Sequence, residues 1–182
     1  MYVSRSISGG GSWESEYTYL LEKALKYYSN KKNISNENIY VLDIGANVGW
    51  FSFYFGKCGY NILSFEASKL NDYILRKNFC LNNESRIAII NKGIYNDEKK
   101  CFYYLVKNNY GNGIVYCNKI ENKTDELINM GLITITKLSN FVPFLSSKNV
   151  ALIKLDIEGG EGKAIESGIE LISKYHVPFI FL

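Results

Sequence analysis

Several features that mark common classes of protein are missing from this sequence. No apolar run approaches the ~20 residues that a membrane-spanning helix needs, and the N-terminus lacks the apolar centre of a secretion signal. Lysine and arginine form no block, and the net charge is only +3, which argues against nucleic acid as the main partner. We therefore expect a cytoplasmic protein with neither a membrane nor a nucleic-acid partner. The sequence gives no indication of an oligomeric state.

Cysteine and histidine are also too sparse for a familiar metal centre. The four cysteines are widely spaced and form no C-x-x-C pair, whereas zinc sites and redox dithiols normally use closely spaced pairs. The sequence therefore predicts no metal site, and we expect reduced, mostly buried thiols, as is usual in the cytosol. The single histidine, His176, precedes the last apolar segment and is expected to be a surface or capping residue.

What the sequence does contain is an alternation of buried strands and amphipathic helices. Its 182 residues, 47% hydrophobic and 21% charged, suit one globular domain. Strand–helix–strand repeats are typical of parallel sheets with right-handed crossovers. We therefore predict an α/β, doubly wound, mostly parallel sheet over residues 39–182, preceded by a helical lead-in over residues 1–38. Predicted strands cover 39–44, 61–66, 86–90, 150–157 and 176–182, with helices at 12–29, 47–57, 68–81 and 160–173 and short β segments between 101 and 136.

Glycines and polar residues follow four of these strands. Doubly wound sheets bind their ligands beyond the carboxyl ends of the strands, so the residues that follow the strands should converge on one crevice. In strand order, the candidates are Asp43, Gly45, Asn47 and Gly49, then Glu66, then Asn91, and finally Asp156 and Glu158.

The segment D-I-G-A-N-V-G, residues 43–49, indicates a loop that binds an anionic group. Gly45 and Gly49 have no Cβ and can let the backbone approach a ligand. The helix that follows directs its N–H groups and positive dipole end at the same place. Glu66 lies seventeen residues after Gly49, where an acid can accept hydrogen bonds from ribose hydroxyls. Together they predict an adenosine-containing ligand with an anionic end, although the glycines alone could reflect helix packing and the acid alone a helix cap.

The identity of that ligand is narrowed by two absent motifs. Neither the dinucleotide fingerprint G-x-G-x-x-G nor the phosphate loop G-x-x-x-x-G-K-[ST] occurs in the chain. Asp43, two residues before Gly45, can instead receive the ammonium group of an amino acid. This arrangement favours S-adenosylmethionine, whose methionine end carries both an ammonium group and a carboxylate.

Three segments resemble the FkbM-type S-adenosylmethionine-dependent methyltransferases. They are VLDIGANVGWFSF at 41–53, FEASKLNDYILRKNFCLNN at 65–83 and LIKLDIEGGEGKAIESGIELI at 152–172. The resemblance extends from about residue 40 to 182. It implies a Rossmann-like class I methyltransferase fold of seven strands, S-adenosyl-L-methionine as cofactor, and O-methylation of a small molecule or a sugar.

The same resemblance implies roles for the candidate residues. Asp43, Gly45, Asn47 and Gly49 would line the methionine end of the cofactor, and Glu66 would hold the ribose. We group Asn91 with these residues as cofactor-binding. Asp156 and Glu158 would lie beside the reacting centre as catalytic residues.

The chain departs from the family pattern at two places. Ala67 stands where the family commonly has proline, directly after the ribose acid. The family fold also has two further strands after FIFL, with an acid directly after that segment, and this sequence ends before them. We therefore expect the C-terminal strands to be missing, so that residues 178–182 form an exposed apolar edge.

The chemistry of Asp156 and Glu158 is open at this stage. In an extended strand, residues two apart point to the same side, and paired carboxylates can raise one pKa into the range of a base. Alternatively, one of them binds the acceptor hydroxyl or a metal, and neither takes a proton. Lys154, two residues earlier, is expected to be a buried ion-pair partner of Asp156 or Asp43.

Three functions are compatible with these residues. The leading hypothesis is an O-methyltransferase that acts on a hydroxyl of a small molecule or carbohydrate. A non-catalytic or vestigial S-adenosylmethionine-binding domain is the alternative from a different class. A nucleotide-sugar or NAD-binding enzyme on the same fold is the third.

Overall fold

The computed structural model describes residues 14–83, 85–107, 109–118 and 126–182. A parallel sheet with helices on both faces forms the centre of the molecule, and a second sheet lies beside it. The elements in chain order are α1 (Ser15–Lys32), β1 (Ile39–Ile44), α2 (Trp50–Lys57), β2 (Asn61–Phe65), α3 (Lys69–Asn82), β3 (Ile87–Ile90), β4 (Gly93–Ile94), β5 (Lys99–Val106), β6 (Asn109–Tyr116), β7 (Leu127–Thr136), β8 (Asn149–Leu155), α4 (Glu161–Lys174) and β9 (Phe179–Phe181), with short 3₁₀ helices at Asn36–Asn38 and Leu138–Phe141.

The main sheet has the strand order β3-β2-β1-β8-β9, and every neighbouring pair is parallel. The chain adds β2 and β3 on one side of β1 and later adds β8 and β9 on the other. The direction of winding therefore reverses between β1 and β8, and the crevice at such a reversal is where doubly wound sheets bind ligands. The prediction of a mostly parallel α/β sheet is confirmed.

Both faces of the main sheet are buried. Val41 of β1 packs in a core with side chains of α1 and α2, while its neighbour Leu42 packs in a second core with side chains of α4. Successive side chains of a strand point to opposite faces, so a strand covered on both faces needs an uninterrupted apolar run. This is why residues 39–44 show no polar alternation.

The lead-in helix α1 packs beside the start of α2. Leu21 and Leu25 form its buried stripe, and the indole N–H of Trp50 donates to Thr18 Oγ1 at 3.1 Å. The Tyr54 hydroxyl also donates to Glu22, at 2.9 Å. Residues 1–13 of the predicted lead-in, with the predicted start of this helix, lie outside the described residues.

The second sheet has the order β4-β7-β5-β6 and is mostly antiparallel. A disulfide joins Cys101 of β5 to Cys117, just after β6. The expectation of four reduced thiols is therefore wrong for this pair, because antiparallel pairing brings two cysteines together that are sixteen residues apart in sequence. Cys58 and Cys80 are free thiols.

The structure also corrects the end of the fourth predicted strand. β8 ends at Leu155, so Asp156 and Glu158 lie in a loop and not on an extended strand. Glu158 has a left-handed backbone conformation (φ 54°), and so has Gly159 (φ 91°). The alternation argument for two carboxylates on one side of a strand therefore does not apply.

Candidate functional site

A cleft opens at the carboxyl edge of the main sheet, where β1, β2 and β8 end. One side of it is formed by Gly45, Asn47, Glu66, Asp156 and Glu158. These five residues come from three separate segments of the sequence, and the fold brings them together as predicted from the strand order. Asp43, Gly49 and Asn91 do not line the cleft.

The loop after β1 is held by its own backbone. The N–H groups of Gly45 and Ala46 both donate to the Phe65 carbonyl at 2.9 Å, which fixes the loop against the end of β2. Gly45 has a φ of 81°, and a Cβ there would overlap the carbonyl oxygen of Asp156. Glycine at this position is thus required by the contact between the two loops, in addition to any ligand.

Gly49 serves a different contact. It is buried at the start of α2, its φ is 95°, and a Cβ would overlap the side chain of Leu75 in α3. Its lack of a side chain therefore lets α3 pack against the loop. The left-handed conformations of Asn47 (φ 53°) and Gly49 also explain why α2 begins at Trp50, three residues later than predicted.

Asp43 lies beneath the loop and is almost completely buried. Its Oδ2 accepts a hydrogen bond from the Ser52 hydroxyl at 2.5 Å. Its Oδ1 lies 3.3 Å from Lys154 Nζ and makes no hydrogen bond with a described residue. The Asp43 carboxylate thus keeps one oxygen with acceptor capacity, but it stands behind the loop.

Lys154 connects the two loops. Its Nζ donates to the Gly45 carbonyl at 2.9 Å and lies 3.3 Å from Asp43 and 3.7 Å from Asp156. The prediction of a buried ion pair is confirmed, and both predicted partners are present. An ammonium group this deeply buried needs such partners, because removing a charge from water without them costs several kcal/mol.

Glu66 is buried at the end of β2 with its carboxylate in the cleft wall. Its Oε2 accepts from the Asn47 N–H and its Oε1 from the Ser68 N–H, each at 2.7 Å. Burial raises its pKa from 4.5 to about 7, although the two N–H donors and Lys154 act in the opposite direction. Glu66 therefore holds the first loop in place and carries a proton equilibrium close to neutral pH.

Asn91 supports Glu66 from behind. Its side-chain amide donates to the backbone carbonyl of Glu66 at 2.8 Å, so it fixes the end of β2 against the end of β3. A direct contact between Asn91 and a cofactor stays a prediction.

Three carboxylates with different surroundings follow β8, two on the loop and one, Glu161, at the first residue of α4. The Asp156 backbone N–H donates to the Ile44 carbonyl at 3.0 Å, while its side chain is 58% exposed. Glu161 Oε1 accepts from the N–H groups of Ile157 at 3.1 Å and Gly159 at 3.3 Å. Burial, followed by the charges of Asp156 and Glu161, raises the pKa of Glu158.

The opposite wall of the cleft belongs to the second sheet. It includes Tyr103 and the apolar residues Ile114, Val115 and Ile135. Burial raises the pKa of Tyr103 to about 12, and the Glu66 charge adds to this effect. The Tyr103 hydroxyl occupies the space that a Cβ of Gly113 would fill. Sequence reasoning gave Tyr103 no role; only the inward alternation Cys101, Tyr103, Leu105 in β5 could have indicated its side of the strand.

Residues 14–83, 85–107, 109–118 and 126–182 offer neither a metal cluster nor a membrane span. In these ranges no group of three or more histidine, cysteine, aspartate or glutamate side chains could hold a metal ion. Nor does that part of the chain contain a helix long and apolar enough to cross a membrane.

Three comparisons with known proteins bear on this chain. The family model for the methyltransferase FkbM domain matches residues 43–182, which include both loops of the cleft. A search of curated proteins gives no match. Among solved structures, the crystal structure of PRMT6 aligns with 81% of this chain at 16% identity and a TM-score of 0.44, and the chain spans 38% of that protein. On the match of the family model, the chain belongs to the FkbM methyltransferase family.

Proposed function

We propose that this protein transfers a methyl group from S-adenosylmethionine to a hydroxyl group of a small molecule or carbohydrate. The observation that carries the proposal is the arrangement of Glu66. Its carboxylate lies in the cleft wall and accepts the Asn47 N–H of the first loop. The predicted ribose acid and the predicted cofactor loop therefore act as one prearranged unit.

The residues of the cleft fit the parts of this cofactor. Glu66 has lone pairs left on both carboxylate oxygens to accept ribose hydroxyls, and Gly45 and Asn47 line the path towards the methionine end. Asp43 acts from beneath by holding Lys154 and Ser52. When bound, S-adenosylmethionine supplies a methyl group already activated by its sulfonium.

The protein then has to position an acceptor and exclude water. The apolar wall of Ile114, Val115 and Ile135 limits water on one side of the cleft, and Asp156 and Glu158 face the same space. These carboxylates suit a hydroxyl acceptor, because a carboxylate can accept a hydrogen bond from a hydroxyl group or take its proton. The absence of such groups would instead favour a purely binding domain.

The proposal is tested in two steps. Calorimetry of the full chain with S-adenosylmethionine, S-adenosylhomocysteine and NAD should show binding of the first two only. Formation of S-adenosylhomocysteine is then measured with a panel of sugars, phenols and other hydroxylated compounds. Binding without transfer to any member would favour the non-catalytic alternative, and binding of NAD alone would favour the third hypothesis. A folded chain that binds none of the three would contradict the proposal.

A further inference from the structure

The three carboxylates near the end of β8 have different partners, and only Asp156 and Glu158 line the cleft. Asp156 is paired with Lys154 at 3.7 Å, and Glu161, at the start of α4, accepts hydrogen bonds from two backbone N–H groups of the loop. The Glu158 carboxylate makes neither a hydrogen bond nor an ion pair with any residue that the structure describes. Of the three, Glu158 is thus the carboxylate whose lone pairs are not committed to the protein.

The backbone holds Glu158 at this place at a cost. A left-handed conformation is unfavourable for a residue with a side chain, and such strain tends to be kept at functional sites. Glu161 accepts hydrogen bonds from the N–H groups of Ile157 and Gly159, the neighbours of Glu158 on either side. Glu161 therefore supports the strained turn, while Glu158 itself lines the cleft.

We propose that Glu158 is the general base that deprotonates the acceptor hydroxyl, and that Asp156, held by Lys154, positions the acceptor without taking its proton. This assignment rests on the proposed function and goes beyond it by separating the roles of two carboxylates that the sequence leaves equivalent.

The charged groups around Glu158 agree with this role. Asp156 and Glu161 face it from its own loop and from α4, and Tyr103 faces it from β5. Burial and the two neighbouring carboxylates raise the pKa of Glu158. A base works best when its pKa lies near the operating pH, so these surroundings suit proton transfer.

The step balances without another reactant. The acceptor O–H bond breaks and its proton passes to a Glu158 carboxylate oxygen. The electron pair left on the acceptor oxygen forms the new bond to the methyl carbon. The bond between that carbon and sulfur breaks, its electron pair stays on sulfur, and the sulfonium becomes the neutral thioether of S-adenosylhomocysteine. Glu158 afterwards releases the proton to water.

The first arm of the test needs no acceptor. The full chain is labelled with ¹³C in its glutamate carboxyls and titrated by NMR, and the Glu158 signal is assigned by its loss in Glu158→Gln. We expect its midpoint to lie above the ordinary value of 4.5. A midpoint at or below 4.5 would overturn the assignment.

The second arm uses the best hydroxyl compound of the panel. Glu158→Gln should lower the rate of S-adenosylhomocysteine formation by about 10²-fold or more and leave the affinity for S-adenosylhomocysteine within about twofold. Asp156→Asn should raise KM for the acceptor and keep a pH-dependent rate, with the midpoint shifted downwards because the Asp156 charge no longer raises the pKa of Glu158. A Glu158→Gln variant that transfers at the wild-type rate, or an Asp156→Asn variant that loses the pH dependence, would overturn the assignment. Failure of the wild type to bind S-adenosylhomocysteine would instead refute the proposed function itself.

Discussion

Two loops meet at the carboxyl edge of the main sheet, and they are built in opposite ways. In the first loop, residues 43–49, the Asp43 carboxylate is buried and the N–H groups of Gly45, Ala46 and Asn47 are all bonded to β2 or to Glu66. In the second loop, residues 156–160, the two carboxylates that face the cleft are exposed. The first loop is a rigid framework, whereas the second keeps reactive groups available.

The difference indicates how binding and chemistry are divided. A site that must hold a ligand gains from groups already fixed in position, while a proton acceptor must keep lone pairs free. The two loops are still coupled, because Lys154 contacts both and Gly45 packs against Asp156. Changes in the first loop should therefore cost stability, and changes in the second should cost activity.

The largest effect is expected from breaking the connection between the loops. Lys154→Met leaves the Asp43 carboxylate buried without its cation, and removal of one member of such a pair costs about 3–5 kcal/mol. The free energy of unfolding, measured in urea, should fall by this amount. The double variant Asp43→Asn, Lys154→Met removes both charges and should recover part of the loss. A single variant within about 1 kcal/mol of the wild type would show that the connection is unimportant.

A smaller loss of stability is expected when a glycine of either loop is replaced by alanine, and its size should differ between the two loops. Gly45→Ala and Gly159→Ala both place a methyl group on a left-handed residue, at φ 81° and 91°, which alone costs about 1–2 kcal/mol. The added Cβ overlaps the Asp156 carbonyl at position 45, but meets nothing within 4 Å at position 159. Urea unfolding should therefore show Gly45→Ala as the more destabilising change. Equal losses would contradict the contrast between a packed and an open loop.

The smallest effect expected is a pH dependence of ligand affinity, caused by the Glu66 carboxylate that holds the first loop. Because the pKa of Glu66 is raised to about 7, the carboxylate is mostly protonated at pH 6 and mostly ionised at pH 8. Ribose hydroxyls donate to the ionised form, so affinity for S-adenosylhomocysteine should rise about tenfold over this range. Calorimetry at several pH values measures the rise, and Glu66→Gln should make it disappear. A wild-type affinity independent of pH would contradict the predicted contact.

The same proton equilibrium has a consequence for the free protein. The folded chain keeps the Glu66 proton up to about pH 7, whereas an unfolded chain loses it near 4.5. The folded state therefore binds more protons between these values, and the contribution of Glu66 to stability falls as pH rises from 4.5 to 7. Bound cofactor should oppose this loss by favouring the ionised carboxylate.

The sequence was sufficient to predict the strands that carry the site and the residues at their carboxyl ends. Apolar runs at 39–44 and 150–157 predict buried parallel strands, and the rule for doubly wound sheets brings Gly45, Glu66 and Asp156 to one edge. The motif D-I-G-A-N-V-G and the acid that follows β2 are local signals, so they could be read without coordinates. The buried ion pair of Lys154 could also be predicted, because an isolated charge in a buried strand would be costly.

The remaining features depend on contacts between distant segments. Neither the overlap that excludes a side chain at Gly45 nor the disulfide between Cys101 and Cys117 has a local signal, because each depends on how separate segments meet. The early end of β8 at Leu155 and the left-handed Glu158 belong to a turn in which Glu161 accepts hydrogen bonds from the N–H groups of Ile157 and Gly159. Tyr103 lines the cleft because the second sheet packs beside the main sheet, and the local sequence does not indicate that packing.

The most direct test of the account is the affinity of the full chain for S-adenosylhomocysteine, measured by calorimetry for the wild type and Glu66→Ala. If Glu66 holds the ribose, the wild type binds and the variant loses about 1–3 kcal/mol, or ~5- to 150-fold in Kd. Circular dichroism of both proteins should confirm that they are folded. A folded wild type that does not bind S-adenosylhomocysteine, or a Glu66→Ala variant with unchanged affinity, would contradict the account.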